Sequence, residues 1–123
     1  MSSRTAMAVI AVFGDDVLRS EDATRALSSD LTGVQDVAVR LEYPGGEARL
    51  GAKGQGPEVL HAIVDYAWPA AAPLVAEAVK KLCSRHKRER VRVTVGQDYV
   101  EISGDPSPEQ AELLSKVLDE LQK

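Results

Sequence analysis

At 123 residues, 44% of them apolar and with a net charge of −4, the chain is one domain's worth of sequence with apolar surface enough for a single core. That acidic balance gives no global pull toward nucleic acid or an anionic membrane, and one Trp, one Phe and three Tyr leave the core to aliphatic side chains. A single cysteine, Cys83, excludes an internal disulfide framework and fits a reducing, cytoplasmic setting.

Residues 6–13, AMAVIAVF, form an apolar run ending at Gly14-Asp15-Asp16, the pattern of a strand buried on both faces. Ser20 is placed to cap a short helix, with Glu21 and Asp22 in its first turn, Leu27 and Leu31 as its stripe and Gly33 as its end. From Asp36 the period becomes two: Val37, Val39, Leu41 and Tyr43 alternate with polar or small residues, as in a half-exposed strand. Pro57 suits a first helical position, and Val59, Leu60, Ile63, Val64 and Ala67 recur at helical spacing. Pro69 and Pro73 interrupt that spacing before Leu74, Val75, Ala78, Val79 and Leu82 resume it, which predicts one kinked helix or two in series over 57–87. Asp65, Pro69, Pro73 and Glu77 break the segment well short of the about 20 apolar residues that a membrane span needs.

The last third alternates twice around Gly96-Gln97, predicting a hairpin with Val93 opposite Val100, Val91 opposite Ile102 and Arg92 opposite Glu101. Ser107, Pro108 and Gln110 form a capping-box pattern for a final helix with Ala111, Leu114, Leu118 and Leu121 inward. The expected architecture is therefore a single α/β domain over 1–123, two layers deep, with a mixed four-stranded sheet in the order β-α-β-α-β-β-α. A flexible glycine-rich loop spans about 44–57.

Chemistry-bearing motifs are sparse. Gly51, Lys53, Gly54 and Gly56 form the nearest thing to a ligand loop, but Pro57 removes an N–H and Glu58 adds negative charge where a phosphate loop needs the opposite. His61 and Asp65, four apart on the expected helix, are within reach of each other, yet no nucleophile sits in a recognisable context. Cys83 and His86 have a metal-like spacing without the four ligands of a structural site. Asp15-Asp16 after a strand is ordinary turn chemistry when no second carboxylate cluster accompanies it. No catalytic residue, metal or cofactor is expected, and the chain is not expected to be an enzyme.

The basic run is the strongest feature. KKLCSRHKRERVRV, residues 80–93, holds seven of the fifteen Lys and Arg residues; with Glu89 its net charge is +6, leaving −10 on the rest. Lys80, Lys81, Arg85, Lys87 and Arg88 fall at a helix end, where cations complement the helix dipole. No aromatic residue interleaves them for base stacking, which weighs against single-stranded nucleic acid. They, with Trp68, are the candidate partner-binding residues, facing an acidic protein surface or a second copy of this chain.

From Pro44 onward the order of features resembles the effector-associated constant component family of bacterial conflict systems: Pro44-Gly45-Gly46, a long apolar segment ending in SRHKRE, then VRVTVGQDYVEISGD-P and a leucine-striped last helix. The resemblance implies a small noncatalytic adaptor or regulatory partner that accompanies variable effectors, often proteases or NTPase-linked regulators, in bacteria such as actinobacteria. It carries over no active-site residue. Two alternatives stand beside it: a nucleic-acid binder using Lys80–Arg92, and a small-molecule sensor with a pocket beneath residues 51–56.

Overall fold

A computed structural model of the chain describes residues 4–43 and 59–119. Eight elements follow in order: β1 (Arg4–Phe13), α1 (Val17–Leu31), β2 (Val37–Glu42), β3 (His61–Trp68), α2 (Ala72–Arg85), β4 (Arg90–Val95), β5 (Asp98–Ser103) and α3 (Pro108–Asp119). The fold is α/β as expected, but the sheet has five strands, all antiparallel, in the order β2-β3-β1-β4-β5. This corrects both the four-stranded count and the mixed pairing. The units β1-α1-β2 and β3-α2-β4 interleave so that each unit's strands flank a strand of the other, the split β-α-β arrangement of ferredoxin-like sheets.

The unexpected strand is β3, drawn from residues expected to begin the middle helix. It is hydrogen-bonded on both edges, by β2 and by β1. Ala62, Val64 and Tyr66 are fully buried on one face, while Ile63 on the other face is only 8% exposed. The outer face mixes Ile63 and Ala67 with His61 and Asp65, so the period-two signature is blurred, and a short, largely apolar run cannot then be told from a helical one. The expected kinked helix is thus a strand, a turn at Pro69-Ala70, and a helix beginning at Ala72 with proline in its first turn.

Local signals worked better elsewhere. The β4–β5 hairpin has the expected register, with Val93 opposite Val100, Val91 opposite Ile102, and Gly96 in the turn at φ 62. The capping box is reciprocal: Gln110 N donates to Ser107 Oγ and Ser107 N donates to Gln110 Oε1, both at 3.1 Å. Helix α1 starts earlier than expected. Asp16, not Ser20, is its cap, accepting from Leu18 N at 3.0 Å and Arg19 N at 3.4 Å, and Thr32 rather than Gly33 closes it. Ser20 lies inside the helix and is buried.

All three helices cover one face of the sheet. Helix α1 crosses β1, β2 and β3, α2 lies between α1 and α3, and α3 covers β4 and β5. Ala6, Ala8, Ile10 and Val12 of β1 meet Leu27, Val75, Val79, Leu114 and Leu118 in one cluster. Tyr66 Oη donates to Leu118 O at 2.7 Å and Trp68 Nε1 donates to Asp119 O at 2.6 Å. Both carbonyls belong to the last described turn of α3, so β3 ties that turn to the sheet through two side-chain donors. No helix covers the opposite sheet face among the described residues; Met7 there is 49% exposed and Tyr99 60%.

Candidate partner-binding surface

Helix α2 buries Val75, Ala76, Val79, Leu82 and Cys83 against the sheet, an i, i+1, i+4, i+7, i+8 stripe. Leu74, which the spacing assigned to that stripe, falls beside it and is 47% exposed. It faces a groove of about 540 Å³ between α2 and the end of α1, where Leu31, Val34 and Ala78 are apolar and Glu77, Lys80 and Lys81 are charged. Sequence reading missed this groove because its apolar half comes from two helices that are distant in the chain.

The basic run divides as it passes through this fold. Lys80 Nζ pairs with Glu77 Oε2 at 3.2 Å, and Arg85 Nη1 reaches Asp30 Oδ2 at 3.9 Å across the α1–α2 gap. Lys87 Nζ pairs with Asp105 Oδ2 at 3.2 Å; the hydrogen bond from Lys87, then that from Ser84, holds the Asp105 carboxyl below its ordinary range. Arg92 Nη2 meets Glu101 Oε2 at 2.7 Å, and its guanidinium also lies 4.9 Å from the Tyr99 ring centre. Among the described residues, exposed Lys81 and Arg88 have no ion-pair partner. Lys81 stands at the α1–α2 groove, whereas Arg88 is on the side of α1's other end. The structure therefore brings Lys80, Lys81 and, through Asp30, Arg85 to one groove, and sends Lys87 and Arg88 elsewhere.

The remaining candidates have definite places. Trp68 is half-buried, packs on the core and spends its N–H on Asp119 O. Gly51, Lys53, Gly54 and Gly56 lie outside the described residues. His61 and Asp65 are on β3 rather than on a helix, so four residues separate them by about 13 Å of extended chain. This corrects the expected contact. Asp65 instead accepts from Arg40 Nη1 at 3.4 Å, and burial lowers the His61 pKa. Cys83 is 1% exposed, and burial, with Asp105 second, pushes its thiol up to about 11, the opposite of an activated nucleophile. Among the described residues no group of three or more His, Cys, Asp or Glu side chains is placed to hold a metal ion, and no helix is long and apolar enough to cross a membrane.

What the groove can do chemically is bind, through an apolar floor bordered by ammonium groups. No curated protein and no solved structure matches the chain. Residues 15–122 match the family model described as Effector Associated Constant Component 1, and the chain belongs to that family.

Proposed function

We propose that this chain is a noncatalytic, cytoplasmic adaptor or regulatory component that holds an effector, such as a protease or an NTPase-linked regulator, in a bacterial conflict system. The observation that carries the reading is the α1–α2 groove, where exposed Leu74 lies beside Lys80 and Lys81. An amphipathic segment lays apolar anchors into such a groove, and acidic flanks on it would meet the basic rim. The family's association with effectors supports a protein partner. Nucleic acid fits less well. Four cations of the run are within 4.0 Å of a carboxylate, and the uncovered sheet face carries Arg40, Arg90 and Arg92 against Glu42, Asp65 and Glu101, three of each sign. A field balanced in this way gives phosphate little reason to accumulate.

The test is site-directed photo-crosslinking in the native organism, with a benzoylphenylalanine placed at position 74 or, as a control, at position 87. Adducts to one protein at 74, lost on Lys80→Glu/Lys81→Glu and insensitive to nuclease, support the adaptor reading. Adducts equal at both positions, or removed by nuclease, refute it; a second copy of the chain as the adduct would make the groove a homo-oligomer interface.

A further inference from the structure

At the opposite end of α1 a separate pocket of about 410 Å³ opens between the end of β1, the first turns of α1 and the residues leading into β4. That volume is within the roughly 300–1,000 Å³ of small-molecule sites. Val12, Phe13, Val17 and Val59 give it apolar walls. Its charged groups are Arg88 and Arg90, with Asp15 and Glu21. Two are already engaged: Arg90 lies over the Phe13 ring at 5.8 Å, and Glu21 accepts from the Tyr43 hydroxyl. Arg88 has no ion-pair partner among the described residues.

The decisive group is Ser20. It is 3% exposed, it lines this pocket, and its Oγ is the buried side-chain polar atom that has no hydrogen-bond partner among the described residues. Burial without a bond is costly for a hydroxyl, so such a group ordinarily finds a partner or a ligand. Gly14 keeps the space beside it open. A Cβ at that position would stand 3.2 Å from Ser20 Oγ and 2.9 Å from Glu89 Cγ.

The charges narrow the ligand. Arg88 and Arg90 favour an anion, the N-terminus of α1 being already capped by Asp16. Asp15 and Glu21, with the 3% exposed Glu89 behind Gly14, oppose a polyanion. The apolar walls ask for an apolar body. We infer that this pocket binds a small monocarboxylate with an apolar body, Arg88 pairing with the carboxylate and the Ser20 hydroxyl donating to it. Such a group is supplied either by a free carboxylic acid or by the C-terminus of a peptide ending in an apolar residue. The site is independent of the partner groove and does not rest on the adaptor reading.

The test is an NMR titration of the full ¹⁵N-labelled chain with sodium octanoate and, separately, with a leucine-terminated pentapeptide in free and amidated forms. Saturable binding tighter than about 1 mM, centred on the amides of Gly14, Val17 and Ser20, is expected for at least one free carboxylate. Octanoate alone assigns the free acid as source, the free peptide alone assigns a chain terminus, and both together assign a pocket that reads only carboxylate and tail. Arg88→Gln and Ser20→Ala should each weaken binding about tenfold. Ser20→Ala should do so while leaving the unfolding midpoint unchanged or higher, since it removes an unbonded hydroxyl, so misfolding cannot account for the loss. The inference is overturned if neither carboxylate saturates, if the amidated peptide binds as well as the free one, if the shifts centre on the α1–α2 groove, or if both variants bind as the wild type does.

Discussion

At its C-terminal end α1 borders an open groove whose rim charges are largely paired with one another; at its N-terminal end it borders a pocket that keeps a buried hydroxyl unpaired. The contrast separates two kinds of recognition. Exposed ion pairs such as Lys80–Glu77 are worth little and rearrange at little cost, which suits a broad protein contact with a wet, polar rim. An unbonded hydroxyl is a demand at one point, and a group of a few atoms meets it.

The contrast can be tested at both ends of the helix. The largest effect is expected at Leu31, which is fully buried and also floors the groove: Leu31→Ala should cost about 2–5 kcal/mol in urea unfolding. A smaller loss would mean that the groove collapses onto the missing side chain and is less rigid than its neighbours suggest. Gly14→Ala should cost about 1–3 kcal/mol through its contact with Glu89 and remove the pocket's response to carboxylates. At the other end, a Cβ on Gly33 meets nothing within 4 Å, so Gly33→Ala should be neutral or stabilise by up to about 1 kcal/mol in the same assay. Equal effects at the two glycines would erase the distinction between a filled and an open end. The smallest effect on stability is expected for Lys81→Glu, which should leave the denaturation midpoint unmoved while reducing the crosslink at position 74.

Alkaline titration gives a separate check on the core between these ends. Burial pushes Cys83 up to about 11 from 9.0 and Tyr66 up to about 12 from 10.0. Both groups therefore lose their protons more readily when unfolded. Their contribution to stability is whole below pH 9 and is lost as pH rises toward 12, so midpoints measured from pH 8 to 11 should hold until about pH 9 and then fall. A flat profile would mean that the thiol is open to solvent, and labelling with a thiol reagent at pH 8 would then be fast in the native protein.

Much of the fold could be read from the sequence where the information was local. The hairpin register followed from alternation on either side of Gly96-Gln97, and the last helix from Ser107 and Gln110. β3 was hidden because Ile63 and Ala67 add apolar residues to an outer face otherwise polar at His61 and Asp65, which breaks the alternation and mimics helical spacing. Ser20 was misread because Ser-Glu-Asp is a good capping signal, whereas Asp16, an equally good cap residue four positions earlier, takes the role. The basic run was visible but its division was not: Lys87 and Arg85 are settled by Asp105 and Asp30, and only the folded chain brings those partners near. The adaptor reading came from the order of features, whereas the groove and the pocket needed coordinates.

The strand order also bears on how the protein is made. β1 leaves the ribosome before the other described elements, yet it lies at the centre of the sheet and waits for β3 on one edge and β4 on the other. Its pairing of Arg4 with Trp68 cannot form until residue 68 has emerged, several seconds later at about 5–20 residues per second. For that interval the apolar segment from Ala6 to Phe13 has both edges unsatisfied. Nascent-chain crowding, rather than the finished protein's surface, is then where this sequence is most exposed to aggregation, and where a chaperone would contribute most.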